Sequence, residues 1–262
     1  MPEFLLYIAA GAGVGVAVGL TGVGGGSLMT PLLILFGFPY NVAIGTDLLY
    51  ASITKASGVV AHTRQRSIRW DIVKWLALGS IPASLVTALT LRTVFADAGE
   101  YKDLLTRSLG VMLVLTALVI LLNGRVRKVS DQSHGAVGAF FQRHATLVTT
   151  SAGIFLGVFV TLSSVGAGAF CAALLMTLYP RLPALQVVGT DIAHAVPLTL
   201  IAGLGHLLLL GNVDFVLLAC LLAGSLPAIH FGARLAAWLP SQVLQPVLAT
   251  LLLGMGLKFA VA

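Results

Sequence analysis

Asp47, Lys55 and Asp191 sit inside long apolar runs of this 262-residue chain. A charge at membrane depth is expensive, so one kept there points to binding, proton transfer or a buried ion pair. The two aspartates belong to one repeated pattern. Gly45-Thr46-Asp47 is followed after fourteen residues by His62, and Gly189-Thr190-Asp191 after fourteen residues by His206. At about 100° per helical residue, Asp47, Thr54, Gly58 and His62 share a narrow stripe, and Asp191, Leu198, Ala202 and His206 share the matching one. Such aspartates can relay protons, gate a path or orient a site. They can also cap a helix or bond to a neighbouring helix near an interface. Thr46 and Thr190 add hydroxyl donors. Lys55 and His194 lie beside the stripes. Lys55 has three readings: a counter-charge for an anionic substrate, a partner of Asp47, or a side chain snorkelling to the interface. His62 and His206 stand at helix ends near water, where a solvated position competes with a part in proton coupling.

A second chemistry resides in the backbone. "TGVGGGS" (residues 21–27) and "SSVGAGA" (residues 163–169) interrupt apolar sequence with small residues. Non-helical backbone at membrane depth is tolerated where it lines a polar cavity, since lipid cannot satisfy free N–H and C=O groups. Glycine lets a ligand approach such a turn closely. A helix starting after it aims free N–H groups and a partial positive charge at the cavity, which suits an anion. Gly24, Gly25, Gly26 and Ser27 form the first candidate cradle; Ser164, Gly166 and Gly168 form the second. The competing reading is close helix packing, which fits the glycines of residues 11–19. A nucleotide-binding loop is excluded, since no Lys-Ser/Thr follows and no βαβ pattern surrounds the turn. No Gly-x-Ser-x-Gly elbow supports a serine hydrolase.

These residues need elements to hold them. The chain is 58% hydrophobic and only 9% charged, against about 25% charged in a soluble domain, and its mean hydropathy is +1.01. Runs of spanning length, about 20 residues, recur along it. The expected fold is all-α, a polytopic helical membrane protein. The segments 62–71 and 123–144 are strongly basic and are expected to face the cytoplasm; 92–103 mixes signs and is expected outside. Helices are expected at 72–91 and 104–122. The net charge of +6 reflects this loop bias rather than nucleic-acid binding. Cys171 and Cys220 are both embedded in apolar sequence and predict neither a disulfide framework nor a metal site; no cofactor is expected.

The chain reads as two related halves: residues 1–122, a basic linker 123–145, and residues 146–262. Besides the two glycine breaks and the two GTD segments, "GSIPA" (79–83) matches "GSLPA" (224–228). The loop after His62 carries three arginines and the loop after His206 carries no basic residue, so the halves are expected to be inverted repeats. Ser27–Phe36 and Ala169–Tyr179 are too short to span, and Pro39 and Pro180 follow them. Each is expected to be one limb of a broken or re-entrant helix.

"GLTGVGGGSLMTPLLILFGFPYNVAIGTDLLYASITKASGVVAHTRQRSIRW" resembles the first half of the sulfite exporter TauE/SafE family, with its glycine-rich turn, proline, short helix, Ala-x-Gly-Thr, histidine and basic loop. "GIFLGVFVTLSSVGAGAF" and "VVGTDIAHAV" are similar to the second half. That motif is degenerate, with Ala167 in place of a glycine and Ala173 where the first half has Pro31. The resemblance covers nearly the whole chain, residues 123–144 least. It implies a carrier of sulfite or organosulfonates in the bacterial inner membrane, with a site near the two glycine turns. The expected partners are a small sulfur-containing anion and the lipid bilayer, with a homodimer as a possible assembly.

Overall fold

The computed structural model describes residues 2–21, 26–95, 97, 99–132, 144–236 and 241–261. They form ten helices and no strand: α1 (Pro2–Thr21), α2 (Gly26–Leu35), α3 (Tyr40–Arg64), α4 (Trp70–Val94), α5 (Lys102–Gln132), α6 (Ala145–Ser163), α7 (Ala169–Leu178), α8 (Ala184–Leu208), α9 (Phe215–Ala236) and α10 (Ser241–Val261). Among these, α1, α4, α5, α6, α8 and α9 are long and apolar enough to cross a membrane. α3, which carries Asp47 and Lys55, is 25 residues long, about 38 Å. It is long enough to cross, and its polar residues keep it out of that apolar set.

The two short helices fall where the sequence places them. α2 and α7 are ten residues each, about 15 Å. α2 stops at a turn in which Gly37 takes φ +88°, and Pro39 then opens α3 at φ −57°, ψ 141°. Pro183 opens α8 at nearly the same angles, φ −57°, ψ 144°. α5 continues to Gln132, past the expected end at residue 122. Once clear of the bilayer a helix needs no apolar face, so the basic residues there do not end it.

The packing is reciprocal. α1 lies along α9 and α6 along α4, while α3 pairs with α8 and α5 with α10. Glycines set the closest approaches. A Cβ on Gly11 or Gly224 would meet a backbone carbonyl across the α1–α9 contact at 2.4 or 2.0 Å; on Gly153 or Gly79 it would do so across α6–α4 at 2.3 or 2.1 Å. The cores mirror each other too. Val14, Leu33, Leu49 and Leu221 bury α1, α2, α3 and α9 together. Leu76, Leu156, Leu175 and Leu198 do so for α4, α6, α7 and α8.

α3 and α8 run antiparallel. At the start of α3, Gly45 abuts the Asn212 carbonyl, and Thr46 Oγ1 accepts the Asp214 N–H at 3.1 Å. At the start of α8, Gly189 abuts the Ser67 carbonyl, and Thr190 Oγ1 accepts the Arg69 N–H at 3.1 Å. Each GTD segment thus docks on the loop that follows the other's helix.

Candidate functional site

The GTD aspartates do not cap their helices. Each is the eighth residue of its helix, α3 or α8, and both are buried. Thr30 of α2 donates its hydroxyl to Asp47 Oδ2 at 2.5 Å. The other oxygen, Asp47 Oδ1, is buried with no hydrogen-bond partner among the described residues, as is Asp191 Oδ1. The Cys171 thiol of α7 faces Asp191. The Ser164 hydroxyl faces Asp47 without completing a hydrogen bond. Carboxylate oxygens buried without donors are costly, so each leaves a place for a proton or a polar ligand.

Lys55 connects these groups. Its Nζ donates to the Ala167 carbonyl at 2.6 Å, in the glycine turn between α6 and α7, and lies within electrostatic reach of both Asp47 and Asp191. Of the three readings of Lys55, snorkelling to the interface does not describe this geometry. The counterpart position in the second half is Thr199, which bonds back to its own helix through the Ala195 carbonyl at 2.8 Å. Two matched acids therefore share one lysine.

The turn itself is built from backbone conformation. Ser164 closes α6 in the left-handed region at φ +58°, and Gly166 and Gly168 take φ +122° and +154°. Ser163 Oγ bridges the turn by donating to the Phe159 carbonyl at 2.6 Å and accepting from the Val165 N–H at 3.2 Å. α7 then starts at Ala169; the Cys171 and Ala172 N–H groups donate to the Gly166 and Gly168 carbonyls at 3.1 and 2.8 Å, and the N–H groups of Ala169 and Phe170 have no acceptor within the helix. In the first half, α1 ends at Thr21 and α2 begins at Gly26. Gly24 and Gly25 lie outside the described residues. Ser27 is buried in the first turn of α2.

The histidines take three different places. His194 is fully buried; its Nε2 pairs with Ser80 Oγ at 2.8 Å, and the ring lies within reach of the Lys55 charge. Its counterpart is Tyr50, whose hydroxyl faces Ser225, the counterpart of Ser80. His206 is also fully buried rather than near water. Its Nε2 lies 2.9 Å from the Thr161 carbonyl, because α6 covers the end of α8. His62 is half-buried at the end of α3, with Nδ1 2.8 Å from Ser67 Oγ. Asp47, Lys55, Asp191, Ser164 and His194 thus gather at one place. Thr46 and Thr190 serve the joints between halves, and His62 and His206 close helix ends. Sequence reasoning missed Thr30, Cys171 and the Ala167 carbonyl. Thr30 and Cys171 fall in the short helices after the breaks, which was the available signal. A backbone carbonyl leaves none.

The sequence profile of the family described as "Sulfite exporter TauE/SafE" matches residues 7–259. The chain is 38% identical over 246 residues to the probable membrane transporter protein YjnA of Bacillus subtilis (strain 168), covering 94% of this chain and 95% of that one. It is 30% identical over 246 residues to the probable membrane transporter protein YdhB of the same organism, covering 91% and 95%. It is 26% identical over 276 residues to the probable membrane transporter protein MJ0441 of Methanocaldococcus jannaschii, covering 97% and 96%. No solved structure matches significantly.

Proposed function

Because the chain belongs to the sulfite exporter TauE/SafE family and is a multi-pass membrane transporter rather than an enzyme, we propose that it moves a small sulfur-containing anion, sulfite or an organosulfonate, across the bacterial inner membrane. It works as a secondary transporter by alternating access, in the direction of export. The observation that carries this reading is the Lys55 ammonium, held on the Ala167 carbonyl beside two buried aspartates. A carbonyl is a weak partner for a half-buried ammonium, and an oxyanion is a stronger one. An arriving anion can therefore take Lys55 from the turn.

The two breaks supply the remaining contacts. Gly24, Gly25, Gly26 and Ser27 on one side, and Ser164, Gly166 and Gly168 on the other, present backbone N–H groups and hydroxyls to the anion. Thr46 and Thr190 keep a hydroxyl hydrogen to donate while accepting from the loops. Asp47 and Asp191 take up and release protons, with His62, His194 and His206 as relay or gating groups. The antiparallel α3 and α8 support halves of opposite orientation, divided by the basic linker 123–145, and this is the architecture on which alternating access runs. Charge balance supports proton coupling. Two carboxylates and one ammonium leave the cluster one negative charge in surplus, and an anion enters it more readily when a proton is bound.

The test is sulfite and sulfonate flux in proteoliposomes, wild type against Gly166→Leu, which strains a φ of +122°. Wild-type flux lost in the variant is the expected result. Equal flux from both would overturn the site, and no flux of any sulfur anion by the wild type would overturn the substrate class. A thermal-shift panel of sulfite, sulfate, thiosulfate and several sulfonates then ranks the ligands, because a ligand stabilises the state it binds in step with its affinity.

A further inference from the structure

Two clefts lie at matching corners of the two halves. The α2–α3 corner encloses about 500 Å³, lined among others by Ile34, Phe38, Tyr40, Asn41, Gly99 and Lys102. The α7–α8 corner encloses about 280 Å³, lined among others by Arg69, Tyr179, Arg181, Leu182 and Gln186. Both sit where a ten-residue helix ends and a proline opens the next helix. Neither lining, among the described residues, includes a carboxylate, although Asp97, Glu100 and Asp103 neighbour Gly99 and Lys102 in sequence.

The clefts are lined by cations, and contacts position one in each. Lys102 Nζ lies 5.5 Å from the centroid of the Tyr40 ring, within the range of cation–π attraction. Asn41 Nδ2 donates to Asn212 Oδ1 at 2.7 Å, and Asn212 Nδ2 donates to the Tyr101 hydroxyl at 2.9 Å, which fixes the wall beside that lysine. In the other cleft Asp71 holds the Arg69 guanidinium through two hydrogen bonds of 3.0 and 2.7 Å and raises it above its ordinary value. The net positive charge there comes from Arg181.

The placement gives these clefts a role. α3 starts at one and α8 at the other, and the two helices run antiparallel over about 38 Å. The clefts therefore open on opposite faces of a bilayer. Each also stands within about 10 Å of the Asp47–Lys55–Asp191 cluster along a helix, because Asn41 precedes Asp47 on α3 and Gln186 precedes Asp191 on α8.

We propose that the two clefts are a pair of anion ports, one on each membrane face, where Lys102 or Arg181 binds the small oxyanion or sulfonate on its way to and from the central cluster. This rests on the transport reading above, and its test is separable from it. Gly99 has open space for a side chain, and Gln186 lines the other cleft, so each is replaced by cysteine on a Cys220→Ser background. The probes are two methanethiosulfonates, one bearing a sulfonate and one a trimethylammonium, applied to proteoliposomes from either side. Rates are divided by those with a free thiol, and the parent chain supplies the contribution of Cys171. The sulfonate reagent is expected to react faster by on the order of tenfold, the low end of what a charged cleft gives. It should reach Gln186→Cys from one face and Gly99→Cys from the other, with Arg181→Gln or Lys102→Gln in the same cleft removing the preference. Equal rates for the two reagents, or both positions reached from one face, would overturn the proposal. So would a preference present in phosphatidylcholine vesicles but lost in phosphatidylglycerol, since Arg181 would then be a headgroup anchor. Sulfite flux by the parent chain is measured alongside; its absence strikes the transport reading and leaves the labelling result to decide the ports.

Discussion

In the proposed mechanism the chemistry turns on Lys55, since among the described residues it is the cation that two matched aspartates share. A hydrogen bond to a charged group contributes about 1.5–3 kcal/mol, so Lys55→Gln should lower kcat/KM for sulfite roughly tenfold to a hundredfold, with Lys55→Arg recovering part of it. An unchanged value for Lys55→Gln would remove the residue from the site. The aspartates make a different prediction. Asp47→Asn or Asp191→Asn removes a proton acceptor and keeps the shape, so exchange of labelled for unlabelled sulfite should persist while accumulation driven by a pH gradient is lost. Accumulation equal to wild type would contradict proton coupling through them. The candidate site was partly legible at this scale. Asp47 and Asp191 stood out because charge is rare in apolar sequence, and their identical spacing to His62 and His206 marked them as a pair. Thr30 and Ala167 did not stand out. A threonine on an apolar helix is common, and a backbone carbonyl is present at every position.

Helix contact is set by small residues on α1, α4, α6 and α9. Gly79 and Gly224 occupy matched positions, and a Cβ on either would lie 2.1 or 2.0 Å from a carbonyl of the neighbouring helix. Overpacking a tight contact costs about 1–3 kcal/mol or more. Gly79→Leu and Gly224→Leu should therefore each lower Tm in detergent by several degrees, whereas Gly13→Ala, which meets nothing within 4 Å, should not. Equal Tm values would show that the helices part without cost. The breaks were legible because each short apolar segment lies between a small-residue turn and residues that disfavour a helix, Gly37 and Pro39 after one and Pro180 after the other. The reach of α5 was not, because charged residues beyond the bilayer read alike whether helical or looped. The GTD segments carry a second role: Thr46 and Thr190 are candidate site residues, and with Gly45 and Gly189 they also form the joints between halves. Only tertiary contact distinguishes a threonine that meets a ligand from one that meets a loop N–H.

Across the whole molecule, the reciprocal joints set α3 against α8 and make opposite orientation of the halves a concrete expectation. Cysteine at Gln65 and at Arg181 should be labelled from the cytoplasmic side, and cysteine at Gly99 and at Leu210 from the other. Labelling of Gln65→Cys and Leu210→Cys from one side would rule out inversion. The membrane class was plain from composition, and the recurring order of GVGGG, GTD and GSIPA raised the expectation of a repeat. The pairing of α1 with α9 and α6 with α4, across rather than within the halves, was not readable, since glycines in both partners announce close contact without naming the neighbour. The most direct test of the account is counterflow of labelled sulfite in proteoliposomes, wild type beside Lys55→Gln. The account predicts a transient overshoot of label in the wild type that saturates with sulfite and is lost in the variant. No overshoot in the wild type, or the same overshoot in both, would contradict it.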